Sequence, residues 1–496
     1  MASGTHSDSI LAIDQGTSST RAMVFAANGD VLARAQREFR QHFPHPGWVE
    51  HDPEVLWNST VEVVSRALAA SGPVAAVGIT NQRETLVIWE RAGGRAVYPA
   101  IVWQDRRTAP ACEALRAAGA EGLLTRRTGL LLDPYFSASK AAWILDHVPG
   151  ARARAEAGEL ALGTVDSFLL WRLTGGEVHA TDASNASRTA LFDIHRGDWD
   201  DDLLALFAVP RALLPRVLPS AGPFGVTAPG PLPAGIPICG IAGDQQAAAI
   251  GQGCVVPGLI KSTYGTGCFI LANTARQVIT SRHRLLSTVA WGDAHALHYA
   301  LEGSVFAAGS AVQWLRDALG VIATAADTQA LASALAGNAG VYLVPAFTGL
   351  GAPHWDADAR GALLGLTRDT GPAHLARAAL ECVCYQTRDL LDAMRADGIA
   401  APRALRVDGG MTANDWLLQF LADILDLAVE RPLVTETTAL GAAHLARVGA
   451  GLAPSLEHAA GAWRLQRRFE PAMGEGERAA LLDGWHEALS RTLSAR

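Results

Sequence analysis

Hydrophobic positions in the first hundred residues fall into short, nearly unbroken runs: ILAID from 10, RAMVF from 21, VAAVGIT from 74, TLVIWE from 85 and PAIVW from 99. Each run is rich in β-branched or aromatic residues and bounded by Gly, Asn or Asp, which predicts strands. Between them EVLWNSTVEVVSRALAA repeats its apolar positions with the period of a helix. The alternation is that of an α/β chain. Six prolines and four glycines lie between Pro219 and Pro237. This stretch reads as a loop inside the first half, because PICGIAGDQQAAAIGQG follows it as strand, Gly-Asp turn and Ala-rich helix. The second half reopens in the same way, with LIKSTYGTGCFIL as strand, bend, strand and ALRVDGGMTANDWLLQF as strand, Gly-Gly bend, helix. Two related α/β halves are expected, residues 1–253 and 254–496, and internal duplication is a hypothesis at this stage.

At 496 residues the chain exceeds one ordinary core, in agreement with two domains. A net charge of -8, with arginines clustered no further than pairs, gives no nucleic-acid footprint. The opening MASGTHSDSI lacks the regions of a signal peptide, and no apolar stretch approaches a bilayer span, so a cytoplasmic protein without membrane insertion is expected. Six cysteines in so long a chain are not a disulfide framework. Of 41 basic residues only Lys140 and Lys261 are lysines. No Walker A loop has its lysine in place, and no protein-kinase lysine and catalytic loop occur, so any ATP chemistry uses another architecture.

The candidate chemistry sits in the bends. Asp14-Gln15-Gly16-Thr17-Ser18-Ser19-Thr20-Arg21 sets a carboxylate, a glycine and four hydroxyls between two strands. Such a bend is either a polar hairpin turn or a nest of N–H groups and hydroxyls for phosphate oxygens. Asp14 suits a hydrated Mg²⁺ ion and Arg21 suits phosphate charge. Thr266 and Gly410, in the later bends, would meet the nucleotide from the opposite side. Gly309 and Gln313 are four apart on a predicted helix, fit either for packing or for a flat ligand. Asn414 is placed to cap the helix after it or to touch a nucleotide. Arg83 and Glu84 pair donors with acceptors at a strand end, as a surface ion pair or as ligands for a small polyol. Trp103, Tyr135 and Phe269 are core aromatics or the apolar wall of that polyol site. Asp244, flanked by Gln245, is a helix cap, a general base, or both.

The stretches DQGTSSTR, GITNQRET, AIVWQDRRT, DPYFSASKAAWILDH, TDASNASRT, GIAGDQQAA, STYGTGCF, LRVDGG and TALGAA, in this order along nearly the whole chain, resemble the FGGY carbohydrate kinases. The resemblance implies two ribonuclease-H-like domains of the actin/Hsp70/sugar-kinase type flanking a central cleft. It implies transfer of phosphate from MgATP to glycerol, giving sn-glycerol 3-phosphate and ADP, and a homo-oligomer of two or four copies. Glycerol would lie among Arg83, Glu84, Trp103, Tyr135, Asp244, Gln245 and Phe269, with Asp244 as the base. The nucleotide would lie on Thr17, Ser18, Ser19, Arg21, Thr266, Gly309, Gln313, Gly410 and Asn414, and magnesium on Asp14 through water and on Asp244. Ala141 and His354 depart from the family pattern at positions that bear on packing. The stretch APGPLPAGIPI lacks the arginine by which some members respond to fructose 1,6-bisphosphate, so that control is not expected. A pentulose or gluconate kinase is the nearest rival, disfavoured because Arg83, Glu84 and Trp103 leave room for a small triol. A nucleotide-driven scaffold is the rival from another class, and such a switch has no use for a base aimed at a second ligand.

Overall fold

The computed structural model describes residues 8–494. Strands β1 (Ile10–Gln15), β2 (Ser19–Phe25) and β3 (Val31–Glu38) form an antiparallel meander. Strand β4 (Ala76–Asn81) adds parallel to β1, and β5 (Ile238–Gly243) adds parallel to β4. The order across this sheet is β5-β4-β1-β2-β3. Strands β1, β4 and β5 are buried throughout, which explains their unbroken apolar sequences. Helix α1 (Pro53–Ser71) packs Leu56, Val63, Val64 and Ala67 against β2 and β3. Asp52 starts it by accepting the Glu54 N–H at 2.9 Å, and Pro53 occupies its first turn.

The second half repeats the plan. Strands β6 (Ile260–Tyr264), β7 (Cys268–Ala275), β8 (Leu286–Gly292) and β9 (Leu297–Val305) run antiparallel to their neighbours, in the order β8-β9-β7-β6. Strands β10 (Leu405–Asp408) and β11 (Val429–Pro432) then continue parallel to β6, and β12 (Leu465–Phe469) closes the edge. The series β9-β7-β6-β10-β11 has the strand directions of β3-β2-β1-β4-β5, with β8 inserted along the chain between β7 and β9. The duplication that is faint in the residues is plain in the topology.

Two helices bring the halves together. Helix α2 (Asp244–Gly251) leaves β5, and helix α6 (Thr437–Gly449), close to the chain's end, packs on α2 and on β1, β4 and β5. The contact is backbone to backbone. A Cβ on Gly441 would come within 1.8 Å of the Ala247 carbonyl oxygen, so only glycine permits this approach. The remaining helices used below are α3 (Gly309–Asp317), α4 (Pro372–Ala396) and α5 (Asp415–Leu425). No helix among the described residues is long and apolar enough to cross a membrane.

Candidate active site

Asp244 is the first residue of α2, but it does not cap the helix. Gly243, which has no side chain, holds the cap position. The Asp244 carboxylate accepts the adjacent Gln245 N–H and lies 3.3 Å from the Nε of Arg83, with its side chain 28% exposed. Burial raises its carboxyl above the ordinary range, against the pull of Arg83 and Lys261. A carboxylate so poised accepts a proton more readily than an ordinary surface aspartate.

Arg83 and Glu84 are not a surface pair. Both are buried, and Glu84 takes a left-handed backbone with φ of 59°. Their partners come from distant parts of the chain. Arg83 Nη1 donates to Glu302 at 2.5 Å and to Gln246 at 3.2 Å, while Arg188 donates to Glu84 at 2.7 Å and to Glu302 at 2.9 Å. Two guanidiniums and two carboxylates thus balance in a dry network. Burial by itself would raise the Glu302 carboxyl, but Arg188 and Arg83 hold it down at about 2. Arg83 is thereby fixed in place with its Nε towards Asp244.

The aromatics converge beside it. The rings of Trp103 and Tyr135 meet edge to face at 5.7 Å, those of Trp103 and Phe269 at 6.3 Å, and the Arg83 guanidinium lies over Phe269 at 5.8 Å. Trp103 also reaches the first bend, its indole N–H donating to Thr17 at 2.9 Å. Lys140, fully buried, donates to the carbonyls of Pro134 and Tyr135 at 2.6 Å and of Phe136 at 3.1 Å, fixing the segment that carries Tyr135. Burial pushes its ammonium down to about 8. Lys261, the other lysine, is equally buried and donates to Gln245 and, at 2.9 Å, to Thr263. Gln245 therefore faces Lys261 through its amide oxygen, and Gln246 is the glutamine that braces Arg83.

In the first bend, Asp14 pairs across the sheet with Arg21, and the guanidinium lies 3.6 Å from its carboxylate. Burial raises the Asp14 carboxyl to about 7; Arg21 opposes this, while Asp244 and Glu436 reinforce it. Asp14 and Asp244 thus feel each other's charge across the site. Arg21 also donates to Glu436 at 3.1 Å, a residue at the start of α6. Gln82 ties the bend to the polyol side by donating to Gln15 at 3.1 Å and to the Gly16 carbonyl at 3.0 Å. Ser18 is exposed, whereas the Ser19 hydroxyl is nearly buried and accepts from Gln36 at 3.1 Å.

A cavity of about 680 Å³ opens in the second half, lined by Thr266, Gly309, Gln313, Gly410 and Asn414 among others. Its walls are locked together: the N–H groups of Ala308 and Ser310 donate to the Thr266 carbonyl, and that of Gly309 to Gly265. Gly409 has φ of 93°, and a Cβ there would meet the Tyr264 carbonyl oxygen at 2.4 Å. The second and third bends can approach this closely only through it. Asn414 caps α5 by accepting the Leu417 N–H at 3.0 Å while it lines the cavity, so the capping reading is correct for its oxygen. Thr17, Ser18, Ser19 and Arg21 lie outside this cavity, on the first bend.

Residues 9–251 match the N-terminal domain of the FGGY family of carbohydrate kinases, and residues 260–450 match its C-terminal domain. The chain belongs to the FGGY family of carbohydrate kinases. Among similar proteins, a glycerol kinase of Rhodospirillum centenum is 63% identical, covering 98% of each chain. A glycerol kinase of Methylobacterium nodulans is 62% identical over 97% of each. The crystal structure of Plasmodium falciparum glycerol kinase with ADP superposes with a TM-score of 0.91 at 34% identity, covering 99% of each chain. As in other FGGY kinases, the two halves are ribonuclease-H-like domains.

Proposed function

We propose that the chain transfers the γ-phosphoryl group of ATP to a primary hydroxyl of glycerol, giving sn-glycerol 3-phosphate and ADP. The high identity to glycerol kinases along nearly the full length supports the substrate pair. The observation that carries the chemistry is Asp244: a carboxylate part-exposed at the helix start, raised by burial, beside a fixed guanidinium and a three-ring aromatic wall. The wall of Trp103, Tyr135 and Phe269 suits the carbon face of a triol, and Arg83 and Glu84 suit its hydroxyls. Asp244 takes the hydroxyl proton as that oxygen bonds to the γ-phosphorus and the bond from phosphorus to the ADP oxygen breaks. Thr17, Ser18, Ser19 and Arg21 would hold the phosphates from one side. Thr266, Gly309, Gln313, Gly410 and Asn414 would hold the rest of the nucleotide from the other.

Magnesium fits the donor set. Asp14 carries repelling acidic neighbours and a carboxyl raised to about 7, a condition that a divalent cation relieves. Asp14, through water, and Asp244 would hold the ion, which when bound neutralises phosphate charge. Six free, buried cysteines support a reducing compartment, the cytoplasm.

The deciding experiment measures ADP release with glycerol, xylulose and gluconate under matched conditions, and identifies the product by phosphorus NMR. Glycerol is expected to give the highest kcat/KM. A higher value with either sugar acid or pentulose overturns the substrate assignment.

A further inference from the structure

Away from the catalytic cleft, a second cavity of about 80 Å³ is walled by both halves of the chain. Arg126 comes from the helix Glu121–Thr128, His195 from a neighbouring loop, and Arg282 and Arg284 from the segment leading into β8. The guanidiniums of Arg126, Arg282 and Arg284 have neither an ion-pair nor a hydrogen-bond partner among the described residues. Arg127, next along the helix, shows the contrast: it lies within 4 Å of Asp193, Asp200 and Asp202. The Nε of Arg284 is buried without an acceptor, and the residue is held at φ of 58°, a left-handed backbone unfavourable to a long side chain. Trp355 braces that conformation by donating to the Arg284 carbonyl at 2.7 Å. Asp397, an acid beside this segment, is engaged by the Ser281 hydroxyl, the Arg282 N–H at 2.8 Å and His283 at 2.8 Å.

Like charges gathered in one small cavity repel, and none of the residues lining it is acidic. An unsatisfied guanidinium donor in a confined space also lacks its hydrogen bonds. A tetrahedral oxyanion supplies the missing counter-charge, and its oxygens suit the unpartnered guanidinium donors of the lining. We infer that this cavity is a binding site for a phosphoryl dianion, separate from the nucleotide site and bridging the two halves of the chain. Its size excludes a nucleotide, which needs a volume nearer to that of the large cavity.

The test is calorimetric titration with inorganic phosphate and, in a parallel arm, methyl phosphate, with ADP saturating the nucleotide site and ionic strength held constant. One further site is expected. Binding of both ligands shows a pocket open to the ester group, and binding of inorganic phosphate alone shows a closed one; either supports the site. Arg126→Ala and Arg282→Ala, both at exposed positions, should each weaken binding by about tenfold, the loss expected for one charged hydrogen bond. Together they should weaken it by about a hundredfold while glycerol phosphorylation stays unchanged. Absence of binding in the native protein, or native affinity in the double variant, overturns the site.

Discussion

The indole nitrogen of Trp103 stands 2.9 Å from the Thr17 hydroxyl, so the polyol wall and the first phosphate bend share a hydrogen bond. Replacing Trp103 by Phe keeps a ring and removes the donor. The loss of about 1 kcal/mol should raise KM roughly fivefold for glycerol and for ATP together. Thr17→Val should act alike, and the double variant little worse than either single one. Initial-rate kinetics over both substrates check this; a change confined to glycerol counts against the link.

Asp244→Asn keeps the shape of the side chain and removes the proton acceptor. Turnover should fall by about 10² to 10⁴, the range for a lost general base. ADP affinity, measured calorimetrically, should stay near the native value. Normal turnover in this variant would reject the mechanism.

Glu302→Gln leaves Arg83 and Arg188 buried with Glu84 and the part-exposed Asp244 to balance them. Removing one partner of such a network costs about 3–5 kcal/mol. Urea denaturation should register the loss as a lower midpoint, and the glycerol KM should rise because Arg83 is no longer fixed.

The Asp14 carboxyl titrates at about 7 in the fold, against a reference of 3.8. The native state therefore binds more protons than the unfolded chain between those values, and stability falls as pH rises from 4 to 7. Asp14→Asn removes this penalty. Without magnesium the variant should be stabler than the native protein by on the order of 2 to 4 kcal/mol at pH 8, the gap closing as pH falls towards 4. Urea midpoints across that range check it, and a gap independent of pH refutes it.

Much of the fold was legible because the central strands are buried on both faces and read as plain apolar runs. Strand β3 was not, since its sequence VLARAQRE is that of an exposed edge with polar residues between small ones. Among site residues, those on Gly-rich bends announce themselves by composition. Glu302 and Arg188 do not: Glu302 lies 219 residues from Arg83, and Arg188 lies 104 from Glu84, so no local pattern links them. The surface-pair alternative for Arg83 and Glu84 could not be dismissed from sequence for the same reason, because their partners are tertiary. Lys140 was visible as half of a scarcity, two lysines among 41 basic residues, although only the fold reveals the carbonyls it holds.

That scarcity reaches the outer surface of the molecule. Lys140 and Lys261 have no exposed area, so among side chains every solvent-facing permanent cation is a guanidinium. Acylating reagents, amine-directed cross-linkers and enzymes that acetylate lysine find no accessible ε-amine on the folded protein. Appearance of such an adduct at either lysine reports unfolding of the lobe that encloses it.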